Sequence, residues 1–380
     1  MDTSSGPASD YYMTLTREHY ISQEWFDRDM AQVFGRSWLL AGYASQISRP
    51  GDFFTLEFAD VNVVIARTET GEIAAFHNVC RHRGTRFCTE RSGHVKRAFV
   101  CRFHGWAYGL DGTLRAAPQM PDGFDRARWP AKPVAVEVWN GLVFINLAQG
   151  DTAPVSHILR NVDVSTYDLE HTKVAADIEL TWSCNWKLVS EGFQECYHCR
   201  INHPELCRVL IPDSNFEGLQ AKPVTDDDDE EFLIFTADRS YAIREGMKTF
   251  SLDGNYLVKR LLGSPDNPPT RIAQIDWFPN FQAFLQPDFT HVETFLPVSP
   301  IKSVFRASFL VHEDAVEGVD YDVHELTHMY VKTLEQDSEL VEAAQQGVSS
   351  PAHEPGPFHP VLESAAIEYF KRYERAVRDG

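Results

Sequence analysis

The spacing of apolar residues changes along the chain and divides it into helical and strand-like parts. Phe26, Met30, Val33 and Phe34 recur at helical spacing after Ser22, a residue type that often caps helix N-termini, which predicts a helix over residues 22–38. From residue 51 to about 147 the pattern becomes short alternating stretches separated by Gly and Asp-Gly turns. These stretches predict a small antiparallel β domain with strands at Phe53–Phe58, Val61–Ala66, Ile73–His77, Val134–Val138 and Leu142–Asn146.

The second half of the chain mixes helical and strand patterns. Helices are predicted around Trp186–His203, over about Tyr321–Gln346 and over Val361–Arg378; strands are predicted near Phe232–Phe235, Gln274–Leu285 and Val304–Val311. A polar joint with Gly and Pro, Gln149–Pro154, separates the two halves. We therefore predict an α+β chain with an N-terminal helical segment at residues 1–40 that packs on the last domain, a β domain at 41–150 and a mixed domain at 151–380.

Charge and composition exclude some classes of protein. The 380 residues carry a formal net charge of −20, which argues against nucleic-acid binding because phosphate recognition needs a basic surface. Six negative charges form one run, Asp226–Glu231, where we predict a solvated loop. The N-terminus lacks the basic start and apolar stretch of a signal peptide, and no apolar run is long enough to cross a bilayer. We expect a soluble, cytoplasmic protein without a membrane or nucleic-acid partner.

Two short motifs of cysteine and histidine form a candidate cluster site. Cys80 and His82 are followed, after 18 intervening residues, by Cys101 and His104. A Rieske [2Fe-2S] centre needs two thiolates on one iron and two imidazoles on the other, and each motif supplies one of each. A Cys2His2 zinc site is the competing interpretation. Structural zinc usually pairs like ligands in sequence, whereas both motifs here are mixed, so the pattern favours the cluster.

A second group of ligand-type residues lies in the predicted helix near residue 195. Glu195 and His198 are three residues apart and share a helix face. His203 is five residues beyond His198, but the Pro that follows disfavours helix at His203, so the chain can turn and bring that imidazole back. Two imidazoles and one carboxylate on one face of an iron leave positions open for O2 and substrate. Asn185, which begins this segment, is a further candidate catalytic residue.

The third iron ligand must come from elsewhere in the chain. Asp337 is the candidate, in the predicted helix that ends near residue 346. Taken alone, an Asp in an acidic helix is usually a solvated surface residue, and only the need for a distant carboxylate selects it. Glu335 and Glu339 are its rivals.

A competing site overlaps the second group, because Cys196 and Cys199 form a CxxC pair that could hold zinc or act as a redox dithiol. No partner pair and no thioredoxin-like context accompany it. The seven cysteines are an odd number scattered through a large chain, which argues against a disulfide framework. We therefore expect the two thiols to pack beside His198 as ordinary helix residues.

The two cysteine–histidine motifs look like the signature of Rieske domains, Cys80-x-His82-Arg83-Gly84 followed by Cys101-x-x-His104-Gly105-Trp106-x-Tyr108. The stretch between them is slightly longer than the commonest spacing, and Arg102 stands where Pro is frequent. With the second group about a hundred residues later, the chain resembles the α subunit of Rieske non-haem iron oxygenases, the ring-hydroxylating family, over nearly its whole length.

The resemblance implies a small antiparallel β Rieske domain followed by a helix-grip catalytic domain, a curved antiparallel sheet with helices. It implies a [2Fe-2S] cluster and a mononuclear Fe(II), held respectively by Cys80, His82, Cys101 and His104 and by His198, His203 and Asp337. It also implies a homotrimer in which electrons pass from one subunit's cluster to its neighbour's iron, with Glu195 bridging His198 and the neighbour's His104. A separate NAD(P)H-dependent reductase or a ferredoxin would supply the electrons.

Most members of that family have Asp at the bridge. Glu195, with Cys196, Cys199 and Pro204 around the histidines, looks more like the branch that acts on quaternary ammonium compounds such as carnitine or glycine betaine. We expect a monooxygenase that uses O2 to hydroxylate or N-demethylate a small substrate. The alternatives are hydroxylation of an aromatic ring or aromatic acid, and an iron–sulfur electron carrier without oxygenase activity. We expect strands such as Asp276–Gln286 to line the substrate pocket. Their aromatic side chains, which in general lie more often in a core than in a ligand cage, are Trp277, Phe278, Phe281 and Phe284.

Overall fold

The computed structural model describes residues 11–378 except 149, 151, 161, 213–233, 236–239, 264, 265 and 267. The chain divides into two compact units. The smaller contains Phe34–His157 and Leu169–Val174, and the larger contains Met1–Val33, Ile158–Asp168 and Ala175–Gly380. The domain limits proposed at residues 40 and 150 stay a prediction.

The smaller unit is built on antiparallel strands. In chain order they are β1 Trp38–Tyr43, β2 Asp52–Phe58, β3 Val61–Arg67, β4 Ile73–His77, β5 Ser92–His94, β6 Ala98–Val100, β7 Ala107–Gly109, β8 Leu114–Ala116, β9 Pro133–Trp139 and β10 Leu142–Asn146. One sheet has the order β1-β10-β9-β4-β3-β2-β5, and a second, short sheet has the order β6-β7-β8. The five strands predicted from alternating residues are confirmed as β2, β3, β4, β9 and β10, each within one residue at either end.

The described residues of the larger unit form one sheet of seven strands, the first of which begins with three residues of the smaller unit. These are β11 Thr172–Trp182, β12 Ile234–Phe235, β13 Ser240–Ala242, β14 Arg271–Trp277, β15 Phe281–Leu285, β16 Thr290–Ser299 and β17 Lys302–His312. The order is β11-β17-β16-β15-β14-β12, and β13 also pairs with β14. The predicted strands in this half correspond to β12, to the hairpin of β14 and β15, and to β17. The acidic run Asp226–Glu231 and the first two residues of the predicted strand at 232–235 lie outside the described residues.

In the described part of the chain the α-helices are α1 Arg17–Ile21, α2 Gln23–Asp29, α3 Val155–Ile158, α4 Trp186–Phe193, α5 Cys199–Asn202, α6 Val323–Val348 and α7 Ser364–Arg378. The long helix and the final helix predicted for the C-terminal third are confirmed as α6 and α7. None of the helices described is both long enough and apolar enough to cross a membrane. Helices beside antiparallel sheets confirm the α+β class.

The N-terminal helix is shorter than predicted. Ser22 caps α2 as expected, its hydroxyl accepting a hydrogen bond from the backbone N–H of Trp25 at 3.4 Å. The chain then forms a π-helical turn over Met30–Phe34, and β1 begins at Trp38. All six residues of β1 are buried, so this apolar run is a strand of the core and not the end of an amphipathic helix.

A buried ion pair fixes helix α4 against α2 and α7 in the larger unit. The carboxylate of Asp29 accepts hydrogen bonds from Lys187 Nζ, from Trp186 Nε1 at 3.0 Å and from the Tyr373 hydroxyl at 2.8 Å. The side chains of Asp29 and Lys187 are both fully buried. Because each charge is paired and hydrogen-bonded, the pair is tolerated in the core and holds the start of α4 in one position.

Candidate metal centres

Two similar loops in the smaller unit present the predicted cluster ligands. In the first loop the carbonyl of Cys80 accepts a hydrogen bond from Gly84 N at 2.9 Å, and in the second the carbonyl of Cys101 accepts one from Gly105 N at 2.9 Å. The two glycines have φ of +75° and +74°. Side chains disfavour that conformation, so the glycines let the chain turn back directly after each histidine.

The four predicted ligands differ in burial by residue type. Cys80 and Cys101 are 3% and 1% exposed, whereas His82 and His104 are exposed, with ring centroids 4.5 Å apart. Burial raises the pKa of the Cys101 thiol, and its hydrogen bond with Cys80 adds to that shift. Two adjacent thiols inside and two adjacent imidazoles outside fit a Rieske [2Fe-2S] cluster, in which each iron takes one kind of ligand.

Tyr108 is a polar partner of this site to which the sequence assigned no role. Its hydroxyl lies 3.4 Å from Cys80 Sγ and accepts a hydrogen bond from the backbone N–H of Arg81 at 2.8 Å. Hydrogen bonds to the sulfur atoms of such clusters tune their reduction potential. Its place in the Rieske-type motif was the signal that could have identified it.

The helix predicted over residues 186–203 is interrupted in the structure. After α4 the carboxylate of Glu195 accepts hydrogen bonds from the backbone N–H of Tyr197 and, at 3.2 Å, from that of His198. A carboxylate that binds these N–H groups competes with the helix, so the chain turns before α5 begins. The predicted turn at His203 is confirmed, because its φ of −118° and ψ of 66° are not helical.

The interruption also changes the state of the CxxC pair. Cys196 and Cys199 form a disulfide, so the expectation that they are ordinary packing residues of a helix was wrong. On the turn their Cα atoms are 5.0 Å apart, which suits a disulfide. Cys199 Sγ lies 4.0 Å from His198 Nε2 and belongs with His198 and His203 to a compact group of ligand atoms. A disulfide sulfur carries no thiolate charge, so a carboxylate is the better third ligand.

Three side chains of the larger unit converge on one point, as expected for the iron site. Oδ1 of Asp337 lies 3.0 Å from Nε2 of His203 and 3.6 Å from Nε2 of His198. The rival carboxylates Glu335 and Glu339 are exposed on the same helix, α6. The geometry therefore favours Asp337 over both rivals.

The electrostatics of this point favour a bound cation. Burial alone would lower the pKa of His198, but hydrogen bonds with Asp337 and Glu195 raise it to about 10. Burial alone would raise the pKa of Asp337, but hydrogen bonds with His198 and His203 lower it. The three side chains thus stabilise a positive charge placed between them. Two imidazoles with one carboxylate are the ligand set of non-haem Fe(II).

Each imidazole of the site is oriented through its other nitrogen. Nδ1 of His198 lies 2.5 Å from Oε1 of Glu195, the contact expected from their spacing. Nδ1 of His203 lies 2.9 Å from Oε1 of Gln336, which in turn donates from Nε2 to Glu205 at 3.0 Å. Such partners fix the ring orientation of metal-bound histidines. Gln336 was missed, although its position directly before Asp337 was a signal.

Asn185 lies outside the cavity described next, and the catalytic role proposed for it stays a prediction. It is the N-cap of α4: its Oδ1 accepts from Lys187 N at 2.9 Å, and its Nδ2 donates to the carbonyls of Pro300 at 2.6 Å and Tyr20 at 3.1 Å. Its amide is fully used by these contacts, and it does not line the cavity described next. Asn185 positions the helix that precedes the iron site.

A cavity in the larger unit opens onto the predicted iron ligands. Its walls combine the ligands and their carboxylate partner with aromatic, aliphatic and a few polar residues: Gly192, Phe193, Glu195, Cys196, His198, Cys199, His203, Leu206, Leu210, Tyr241, Phe250, Gln282, Phe284, Glu293, Tyr330, Thr333 and Asp337. Of the four aromatic residues predicted from residues 276–286, only Phe284 lines the cavity. Trp277, Phe278 and Phe281 are buried in the core.

Two family matches divide the chain in the same way as the metal sites. Residues 37–139 match the Rieske [2Fe-2S] domain, and residues 169–379 match the ring hydroxylating alpha subunit (catalytic domain). The second match covers more than half of the chain. It excludes the alternative of an electron carrier without a catalytic domain.

Proteins similar over most of the chain include the glycine betaine monooxygenase oxygenase subunits of Pseudomonas aeruginosa and Chromohalobacter salexigens. Each is 34% identical, covering 96% and 95% of this chain and 89% and 85% of the relative. The carnitine monooxygenase oxygenase subunit of Acinetobacter pittii is 30% identical over 51% of this chain and 54% of its own length.

Solved structures share the fold. A crystal structure of the quaternary ammonium Rieske monooxygenase CntA with an inhibitor has a TM-score of 0.78 at 22% identity, covering 97% of this chain and 96% of that one. Naphthalene 1,2-dioxygenase from Rhodococcus sp. has a TM-score of 0.71 at 19% identity, covering 96% and 94%. The chain therefore belongs to the ring-hydroxylating α-subunit family of Rieske non-haem iron oxygenases, oxidoreductases that carry a [2Fe-2S] cluster and a mononuclear iron and receive electrons from a separate reductase.

Proposed function

We propose that this chain is the oxygenase subunit of a monooxygenase that oxidises a small quaternary ammonium compound of the betaine or carnitine type. The observation that carries the proposal is the cavity beside the iron ligands. Among the described residues that line it are aromatic rings and carboxylates, but no Lys or Arg. Aromatic faces and negative charge are what a cation without N–H groups requires. The activities named for the glycine betaine and carnitine relatives agree with this chemistry.

The residue roles follow from the contacts already described. We propose that His198, His203 and Asp337 hold the mononuclear iron, which when bound supplies the site at which O2 is reduced. Glu195 keeps the proton of His198 on Nδ1, so that Nε2 is free to bind metal. The apolar wall of the cavity excludes water from the reacting groups, which limits the use of electrons without product.

The cluster ligands Cys80, His82, Cys101 and His104 would receive the electrons from the partner reductase or ferredoxin. We propose a homotrimer in which Glu195 connects His198 to His104 of the neighbouring subunit. The exposure of both cluster histidines supports a partner at that surface. In sedimentation, the purified chain is expected at about three times its monomer mass of 43.2 kDa, and a monomer at working concentrations would exclude this route.

The function is tested by turnover with a surrogate reductase and NADH. Glycine betaine, carnitine and benzoate are supplied separately, and product formation is measured together with O2 uptake. We expect a quaternary ammonium compound to give hydroxylated or demethylated product in proportion to O2 consumed. Coupled oxidation of benzoate alone would instead support aromatic hydroxylation. The Phe side chains of the cavity and a benzene 1,2-dioxygenase relative, 32% identical over 47% of this chain, give that second candidate its basis.

A further inference from the structure

One carboxyl group in the cavity wall is buried without a hydrogen bond. Glu293, on β16, is 4% exposed and lines the cavity. Its Oε1 lies 3.6 Å from Nε2 of His291, beyond hydrogen-bond distance, and its Oε2 has no hydrogen-bond partner among the described residues. Burying a polar group without a partner costs free energy, so this carboxyl group points to a ligand that supplies the missing interaction.

The neighbours of Glu293 do not supply a positive charge. The ring of His291 is enclosed by Phe309 and Tyr330, with centroids 4.9 Å and 3.6 Å away, and burial holds the pKa of His291 well below its usual value. Burial thus disfavours a positive charge on His291, the ring nearest to the Glu293 carboxyl group. By contrast, Asp288, another buried carboxyl group of this unit, accepts hydrogen bonds from a threonine hydroxyl and two backbone N–H groups.

The space in front of Glu293 suits a cation. Phe250, Phe284 and Tyr330 line the same cavity, and its described lining residues include no Lys or Arg. Burial raises the pKa of Glu293 well above its usual value, and the charges of Asp337 and Asp276 add to that shift. A positive charge placed in the cavity would stabilise the ionised carboxylate of Glu293 against the cost of burial and against repulsion by these two charges. Glu293 and the proposed iron ligand Asp337 line the same cavity.

We propose that Glu293 is the counter-ion for the ammonium group of the substrate and thereby determines specificity. This inference rests on the proposed function and adds the residue that selects the charged head group. A quaternary ammonium group cannot donate a hydrogen bond, so it is recognised by charge and by aromatic faces, and Glu293 supplies the charge. The head group then lies in the same cavity as His198, His203 and Asp337, where its methyl groups can be oxidised.

The same residue selects against uncharged substrates. A neutral aromatic molecule of similar size would fill the cavity but leave the Glu293 carboxyl group buried and unpaired. A cationic ligand relieves the cost of burying this carboxyl group and a neutral ligand does not, so Glu293 separates the two substrate classes more sharply than shape does.

Binding of two matched ligands tests the inference. Glycine betaine carries the cationic head group, and tert-butylacetate has the same shape with carbon in place of nitrogen. Affinities are measured by calorimetry on the holoenzyme for wild type, Glu293→Gln and Asp276→Asn. Asp276 is a matched control, because it is a buried carboxylate on strand β14 of the same sheet that does not line the cavity. Iron content and the visible spectrum of the cluster report correct folding.

We expect wild type to prefer the cation by at least about tenfold, Glu293→Gln to lose most of that preference, and Asp276→Asn to keep it. An unchanged preference in Glu293→Gln, or an equal loss in Asp276→Asn, would overturn the inference. If Glu293→Gln fails to load iron, the wild type alone tests the inference. Equal affinity of wild type for glycine betaine and tert-butylacetate would exclude Glu293 as a counter-ion. The turnover panel separates this from the proposed function, since a wild type that oxidises glycine betaine but binds tert-butylacetate equally well refutes only the role of Glu293.

Discussion

Replacing Gln336 with Leu is expected to weaken iron binding without affecting the cluster. Gln336 accepts a hydrogen bond from Nδ1 of His203 at 2.9 Å and is itself held by Glu205 at 3.0 Å. Iron on Nε2 would oblige the imidazole proton to stay on Nδ1. In Gln336→Leu that N–H is buried without an acceptor, whereas the metal-free ring can move its proton to Nε2, which faces Asp337 at 3.0 Å. The penalty therefore falls mainly on the iron-bound state.

The size of the effect follows from that one unsatisfied group. A buried donor without a partner costs about 1–3 kcal/mol, and loss of such an outer partner usually lowers metal affinity about 10- to 100-fold, or ~1.4–2.7 kcal/mol. Anaerobic Fe(II) titration against a competing chelator measures the change, and the cluster absorption serves as internal reference. Glu335→Gln, at the exposed neighbouring position, should bind iron like wild type. Unchanged affinity in Gln336→Leu would refute the reasoning.

The remaining predictions concern metal content, electron transfer, docking and the disulfide. The chain should hold about three iron atoms and two sulfides. Cys101→Ser should remove the visible absorption of the cluster. Loss of that absorption in His203→Ala would contradict the assignment of two separate metal sites. Glu195→Ala should keep both metals but slow oxidation of the reduced cluster by O2 and substrate in rapid mixing; oxidation at the wild-type rate would exclude the bridge. Reduction of the cluster by the partner should become slower as the salt concentration rises. Residues 80–104 contain seven Lys or Arg and one Glu, and electrostatic steering is screened beyond ~10 Å at about 0.1 M. A rate independent of salt would contradict docking of the partner on this basic face. Reducing the disulfide frees a Cys199 thiolate 4.0 Å from His198 Nε2, so reduced apo-protein should bind Zn²⁺ more tightly than oxidised apo-protein in a competition assay. Equal affinities of the two forms would contradict a role of the Cys199 thiolate as a zinc ligand.

The ligand residues could be predicted because their chemistry limits both residue type and spacing. Mixed Cys and His pairs have few other uses, and the turn before Pro204 explains how His203 returns to His198. Asp337 was harder, since three acidic residues lie close together. Leu334 and Val341, three residues before and four after it, mark the buried face of α6, so helical periodicity could have separated Asp337 from its rivals.

Other features depend on contacts that no local pattern contains. The helix break after Phe193 arises because the Glu195 side chain binds backbone N–H groups that a regular helix would otherwise use, and the disulfide follows from that turn. Glu293 stands in β16, Thr290–Ser299, a strand that the sequence pattern did not predict. Its place in the cavity results from the pairing of β16 with β15, which sets Glu293 opposite Gln282, and single-strand periodicity cannot give that partner.

The larger unit separates its metal-binding side chains from much of its substrate wall. The proposed iron ligands lie on the turn around α5 and on helix α6, whereas Gln282, Phe284 and Glu293 lie on strands β15 and β16. Substitutions on these strands can therefore change which molecule binds while the donor atoms for iron stay in place. During evolution such a scaffold can acquire new substrates through single substitutions at a few strand positions. None of these substitutions requires an intermediate form that has lost its metal.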